Sequence, residues 1–343
     1  MQLYNTLSAK EREALIEAAG KERLTISFYK YAHIGNPQIF RNHLFIHWSE
    51  LDVLGRIYVA YEGINAQLSV PAENFEAFKT HIDSITFLKN VRFNIAIEQD
   101  NKSFLKLKIK VRRKIVADGL NDKTFDVTNK GIHVGAEQFN ELIEDPDTIL
   151  VDMRNHYESE IGHFVNAITP DVDTFRDSMD IIEKDLADFK EEKKLVMYCT
   201  GGIRCEKASA YYKHKGFKNV YQLEGGIIDY ARQVKNKNLE NKFLGKNFVF
   251  DHRRGERISD EVIANCHQCG APNDTHVNCA NEACHLLFIQ CEACAEKMND
   301  CCCYSCKEIH ELPQEQQKKL RKGKEVSNKI FKKGRSEVLK FKK

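Results

Sequence analysis

The stretch Val196–Met197–Tyr198–Cys199–Thr200–Gly201–Gly202–Ile203–Arg204–Cys205–Glu206 decides how the chain is read. A short apolar run ends on Cys199, two glycines follow, and a helical pattern opens at Ile203. The order strand, turn, helix places the Cys199 sulfur at a helix N-terminus. Amide N–H groups there lack intrahelical partners, and glycines let successive amides point inward, so Thr200, Gly201, Gly202 and Ile203 make an anion cradle. A thiolate is an anion, so the acidity of Cys199 rises in this setting. Arg204 adds a fixed charge and planar donors. The expected product is an activated nucleophile able to carry a persulfide, a sulfenic acid or a thioester. Cys205, on the first helical turn, is expected to be buried rather than to serve as a resolving thiol.

The flanking sequence alternates in the same way. TILVDM (148–153), KLVMYC (194–199) and NVYQLEG (219–225) read as strands, and DTFRDSMDIIEKDLADFKEE (173–192) and IRCEKASAYYKHKG (203–216) as helices, the second closed by Gly216. Strands alternating with helices predict a parallel α/β sheet whose ligands bind at the carboxyl ends of the strands.

These motifs resemble rhodanese-like domains, in which a catalytic cysteine opens a six-residue loop that ends in a basic residue, as Cys199 through Arg204 does here. Val151–Asp152–Met153–Arg154 resembles the Asp-x-Arg signature of that family. Glu160–Ile161–Gly162–His163–Phe164 with Asn166–Ala167 resembles its Gly-His-Ile-x-Gly-Ala signature, with Phe164 for Ile and Asn166 for Gly. Leu223–Glu224–Gly225–Gly226 resembles the motif after its last strand. The related phosphatases have one more loop residue, which makes room for a phosphate; six residues suit a single sulfur or oxygen better.

Upstream, LTISFYKYA (24–32), PQIFRNHLFIHWSEL (37–51), GRIYVAY (55–61), NAQLSV (65–70), PAENFEAFKTHI (71–82) and VRFNIAI (91–97) predict the order β-α-β-β-α-β, a ferredoxin-like arrangement. RNA-binding RRM domains share it, but they stack bases on aromatic residues of the two central strands. Here one candidate strand offers Tyr58 and Tyr61 and NAQLSV offers none, so core tyrosines in a generic sheet are expected. Residues 1–22, with Leu7, Leu15, Ile16 and Ala19 at helical spacing, predict an amphipathic helix that docks on the domain. FLKLKIKVRRKIV (104–116) predicts a half-buried strand with Lys106, Lys108, Lys110 and Arg112 on one solvent face, a row able to hold phosphates.

Composition sets the outer limits. The chain has 343 residues, 52 Lys and Arg against 50 Asp and Glu, and 42% hydrophobic residues, which suits two or three packed domains and excludes global disorder. No run approaches the roughly 18 apolar residues of a membrane helix, and the N-terminal stretch lacks the apolar centre of a secretory signal, so no membrane partner and a cytoplasmic location are expected. The net charge of +2 hides a basic tail: residues 313–343 hold 12 basic and 3 acidic side chains, and the rest is mildly acidic. Such a tail reads either as solvated chain or as phosphate-backbone contact with RNA.

Ten of the twelve cysteines lie between Cys266 and Cys306. Cys266-x2-Cys269, Cys279-x4-Cys284, Cys291-x2-Cys294 and Cys303-x2-Cys306 have the spacing of structural zinc ligands and can furnish two tetrahedral sites. In a cross-brace, Cys266, Cys269, Cys291 and Cys294 form one site and Cys279, Cys284, Cys303 and Cys306 the other; sequential pairing fits as well. His267, His276, His285 or His310 can replace a cysteine, and Cys301 or Cys302 can supply one. Four thiolates also suit an iron–sulfur cluster, but the short spacings and closed ligand count fit zinc better.

The expected organisation is α/β and multidomain: a helix plus ferredoxin-like domain (1–118), a rhodanese-like domain (119–240), a cysteine-rich region (241–312) and the basic tail (313–343). Taken together these resemble the rhodanese-containing tRNA uridine hydroxylases. That resemblance implies oxygen-dependent hydroxylation of uridine 34 at C5 to 5-hydroxyuridine, with tRNA as partner, molecular oxygen as co-substrate and Cys199 as the required cysteine. Asp152 and Arg154 would then brace the loop. No flavin, haem or NAD motif stands out in the sequence. A thiosulfate-type sulfurtransferase using a Cys199 persulfide, and a non-enzymatic RNA-binding or redox-sensing protein, are the competing expectations.

Overall fold

The computed structural model describes residues 9–121, 124–322 and 339. Leu7 and, apart from Leu339, the basic tail beyond residue 322 lie outside them. Two compact units emerge, and the chain visits each more than once. The first comprises Met1–Arg154, Thr174–Asn241 and Phe250–Arg253, and the second Asn155–Asp173, Lys242–Val249 and Arg254–Lys343.

The first unit opens with α1 (Ala9–Ala19), followed by β1 (Arg23–Tyr31), α2 (Pro37–Glu50), β2 (Leu54–Ala60), β3 (Gly63–Pro71), α3 (Phe75–Ser84), β4 (Asn94–Ile95) and β5 (Leu107–Val111). The sheet order is β4-β1-β3-β2-β5, antiparallel except for the parallel β2/β5 pair. This is the expected ferredoxin-like sheet, extended at one edge by the basic strand. Asn36 caps α2 by accepting from the amides of Gln38 and Ile39, and Pro37 occupies its first turn, where a missing N–H costs nothing. Leu44, Phe45 and Trp48 of α2 and Phe78 and Ile82 of α3 bury against Ile26, Phe28, Ile57, Val59, Ala66 and Leu68 of the strands. Side chains alternate along a strand, so the helices cover one sheet face and Tyr29, Asn65, Tyr58 and Lys110 share the other.

Two expectations fail in this unit. Leu15 is 57% exposed, Ala19 is exposed and Ile16 is only half-buried, so the described turns of α1 do not bury the expected apolar face, and Lys102 pairs with Glu13 and Glu17. Tyr61 is 62% exposed rather than core, because it lies in the β2–β3 turn, and Tyr58 is half-buried beneath the Arg112 guanidinium.

Continuing along the chain, β6 (Ile132–Val134), α4 (Ala136–Glu144) and β7 (Thr148–Asp152) come next; α5 (His156–Ser159) and β8 (Gly162–Phe164) belong to the second unit. Then α6 (Phe175–Asp185), β9 (Lys194–Tyr198), α7 (Ile203–His214), β10 (Asn219–Leu223) and α8 (Gly226–Lys237) return to the first. Strands β6-β10-β9-β7 form an all-parallel sheet, as the alternation requires. Its core joins Val151, Leu195 and Met197 of the strands, and Met153 just past β7, to Met179 and Ile182 of α6 and to Ala208 and Tyr212 of α7. Cys199 and Cys205 lie within it.

In the second unit, β8 pairs with β11 (Phe243–Asn247), which also pairs with β12 (Glu256–Arg257). β13 (His276–Asn278) and β14 (Leu287–Ile289) form a hairpin, followed by α9 (Glu292–Met298), α10 (Tyr304–Glu311) and α11 (Gln314–Arg321). Close approach explains the Gly162 motif, since a Cβ there would meet the Lys246 carbonyl oxygen at 2.2 Å. Asn166, which stands where the resembling signature has glycine, has φ of 61°, a left-handed conformation that asparagine tolerates best after glycine. Among the described residues no helix is long and apolar enough to cross a membrane.

Candidate active site

Cys199 follows the end of β9, and α7 begins four residues later. Gly202, with φ of 95°, turns its amide back on the loop and donates to the Cys199 sulfur at 3.1 Å. Cys199 is 1% exposed. Burial by itself would raise its pKa, but a hydrogen bond from the Cys205 thiol, the Arg204 charge and the amides of Arg204 and Cys205 outweigh burial and bring Cys199 down to about 6. Burial, and the bond it donates to Cys199, push the Cys205 thiol well up. The two thiols thus divide into one thiolate and one neutral donor. Cys205 is fully buried, as expected from its place on the first turn.

The loop is clamped from behind. Ile227 and Ile228, at the start of α8, donate their amides to the carbonyls of Cys199 (3.0 Å) and Thr200 (3.3 Å). Gly226 permits this: a Cβ there would lie 2.5 Å from the Cys199 oxygen and 2.6 Å from that of Thr200. Gly226 is therefore required by close backbone approach, whereas at Gly225, with φ of 70°, a Cβ would meet the Asp229 side chain at 2.5 Å. Asp152 and Arg154, both fully buried, form a salt bridge in which the guanidinium Nη2 donates to Oδ2 at 2.6 Å and Nε to Oδ1 at 2.9 Å. The same guanidinium lies over the ring of Tyr198, next to Cys199 in the chain. Arg204 is 7% exposed, with its guanidinium 6.0 Å from the Phe250 ring centre.

Several residues at this site carry no signal in the sequence, because they come from distant segments. The face of the N-terminal sheet opposite its helices meets the loop: Asn94 donates to the Gly201 carbonyl (3.3 Å), the Tyr31 hydroxyl reaches that of Ile203 (3.5 Å), and Tyr29 donates to Glu206 (3.1 Å). Glu206 also holds Lys130 at 2.7 Å and His133 at 3.0 Å. Burial would raise its pKa, but those partners bring it down to about 2. Lys207, fully buried, pairs with Glu62 at 2.7 Å. The period-two run Tyr29–Tyr31 hints at a sheet face and says nothing of what covers it.

That face continues to the basic edge. Cross-strand neighbours run Asn94, Ser27, Gln67, Arg56, Lys108, so one row leads from the Cys199 loop to the cations of β5, about 19 Å over four strand spacings. Lys106, Lys108 and Arg112 are exposed and Lys110 is half-buried.

In the second unit the cysteines gather into two groups of four sulfurs, each group within 4.8 Å: Cys266, Cys269, Cys291 and Cys294, and Cys279, Cys284, Cys302 and Cys306. The pairing is that of the cross-brace. Separations of 3.6 Å (Cys269–Cys291) and 3.7 Å (Cys284–Cys302 and Cys302–Cys306) suit a tetrahedral ion with metal–sulfur bonds of about 2.3 Å, whose edges are about 3.8 Å. The amides of Cys291 and Cys302 each donate to a sulfur of their own group, Cys266 and Cys279, a contact that favours the thiolate. The donor chemistry therefore fits a metal ion. The second group differs from the spacing-based expectation: Cys302 stands in the place given to Cys303. The Cys302 sulfur completes the group, while Cys303, extended with φ of −154° and ψ of 168° just before α10, packs beside it without being one of the four. Neither Cys301 nor any of the four candidate histidines joins a group. His267 is engaged by Glu160 at 2.9 Å and by the Ile289 amide, and His276 is buried against Phe248.

A four-stranded parallel sheet with a Cys-to-Arg loop at a strand's carboxyl end defines a rhodanese-like domain, and residues 135–233 match the model of the Rhodanese-like domain family. Residues 23–115 match the UPF0176 acylphosphatase like domain, and residues 244–307 the Rhodanase C-terminal family. Three curated proteins, from Leptospira interrogans, Photorhabdus laumondii and Pectobacterium atrosepticum, are each 54% identical over 97% of this chain and 90%, 95% and 94% of their own lengths. All three are named tRNA uridine(34) hydroxylase, and the chain belongs to that family.

Proposed function

We propose that this protein hydroxylates uridine 34 of tRNA at C5, giving 5-hydroxyuridine, with molecular oxygen as co-substrate and Cys199 as the catalytic group. The observation that carries this reading is the 54% identity, over 97% of the chain, to proteins named for that reaction. The loop supports the part given to Cys199: a thiol brought down to about 6 is ionised at neutral pH. Such a sulfur acts covalently, either by carrying a sulfenic or persulfide group or by adding to C6 of the uracil. Arg204 and the amides of Thr200, Gly201, Gly202 and Ile203 stabilise the anionic sulfur, and Asp152 and Arg154 brace the strand end before it.

The row from Asn94 to Lys108 supports a path for the tRNA backbone. Lys108 is pushed down by burial and by Lys110, Arg56 and Arg112, the crowding that a row of cations relieves by taking up phosphates. We assign structural zinc to the two four-cysteine groups; its work there is to fold a segment short of apolar core. We place the enzyme in the cytoplasm with its tRNA.

Mass spectrometry of tRNA nucleosides tests the proposal in a strain lacking the gene. The wild-type chain restores 5-hydroxyuridine-derived bases and Cys199→Ser does not; full restoration by Cys199→Ser would refute the covalent role. The six-residue loop keeps one other reading in view, a sulfurtransferase. That reading requires cyanide turnover from thiosulfate, a persulfide on Cys199 and unchanged tRNA in the deletion strain.

A further inference from the structure

Three imidazoles outside both sites meet on the helical side of the N-terminal sheet. His43 and His47 lie one turn apart on α2, and His81 lies in the last turn of α3. One ring nitrogen from each falls within 4.8 Å of the others, and the Nε2 atoms of His43 and His81 are 3.2 Å apart. Nitrogens bound to one tetrahedral ion at about 2.0–2.1 Å stand about 3.3 Å apart, so the rings already hold the spacing of a coordination edge. His43 is exposed and the other two are half-buried, which leaves the cluster open to entry from solvent. Burial and the neighbouring rings bring His81 down to about 4, so at neutral pH it is an uncharged ring, the form that ligates.

We propose that His43, His47 and His81 form a binding site for a divalent late first-row transition ion such as Zn2+ or Ni2+, distinct from the cysteine groups. Imidazole suits these ions, and three ring nitrogens leave at least one position for water. The ion would tie α2 to α3. Its role is structural, because Phe28 faces these helices while Tyr29, on the opposite face, meets the Cys199 loop.

The indole of Trp48 supplies a built-in reporter. Its N–H donates to Nδ1 of His81 at 3.2 Å, which leaves the proton of the metal-free ring on Nε2, directed at His43. Coordination through Nε2 moves that proton to Nδ1, with none released, and ends the bond from Trp48. Trp48 is the chain's sole tryptophan.

The experiment is a titration of the full-length protein, its cysteine groups saturated with zinc, with Ni2+ while Trp48 fluorescence is read. A saturable change at one ion per chain is expected. His81→Gln and His43→Gln should each weaken it by roughly tenfold or more while zinc content stays constant. A thermal midpoint that rises with Ni2+ in the wild type alone would support the same site. The proposal is overturned if Trp48 responds only at millimolar metal. It is equally overturned if His81→Gln binds as tightly as wild type, since the helical His43–His47 pair would then account for all binding.

Discussion

Cys199 is set by its immediate neighbours. Its ordinary value is 9.0 and its value in the fold is about 6, so the ionised form contributes stability above the unfolded value, and that contribution is lost as pH falls through 6. The difference in thiolate absorbance between wild type and Cys199→Ser, followed from about pH 4 to about pH 9, should show its inflection near 6; an inflection near 9 would remove the electrostatic account of this loop. These residues were legible in the sequence because Cys199 through Arg204 are contiguous and their chemistry is local. Tyr29, Asn94 and Glu62 were not, because they reach the same place only through tertiary structure. Cys302 was offered only as a substitute for Cys303, since spacing rules count residues and do not see which sulfurs the fold brings together.

At the scale of elements, two devices are open to test. Gly226→Ala forces a Cβ against two carbonyl oxygens at a φ of 66°, and should cost about 1–3 kcal/mol in denaturant unfolding and slow the enzyme, because the carbonyls it displaces belong to Cys199 and Thr200. An unchanged midpoint would show that α8 can shift at no cost. Zinc analysis of two serine variants tests the cysteine pairing: Cys302→Ser should lower the content from two ions per chain to one, and Cys303→Ser should leave two. Strands and helices with strong periodicity, such as β1, α2 and β9, were readable; α4 and α8 passed unnoticed between motifs, and α1 was misread because helical spacing does not say whether a partner exists. The ferredoxin-like order was readable, whereas the parallel addition of β5 to β2 was not, since strand pairing is not written in local pattern.

Across the molecule, the sheet of the N-terminal domain has a divided face, half against the Cys199 loop and half basic. Lys108→Glu with Lys110→Glu should weaken tRNA binding similarly for all tRNAs and flatten the dependence of log affinity on log salt by about one for each phosphate no longer neutralised. An unchanged slope would move the phosphate path off β5. The chain's division into two units bears on the same scale. Asn155–Asp173 belongs with Lys242–Val249 and Arg254–Lys343, although the polypeptide between them builds β9 and β10, the two central strands of the parallel sheet. During synthesis β8 therefore emerges well before β11, its only strand partner among the described residues. At roughly 5–20 residues per second that interval is on the order of ten seconds. For that time the nascent protein carries an open strand edge, and ribosome-bound chains halted before residue 243 should be the form most readily captured by chaperones and proteases.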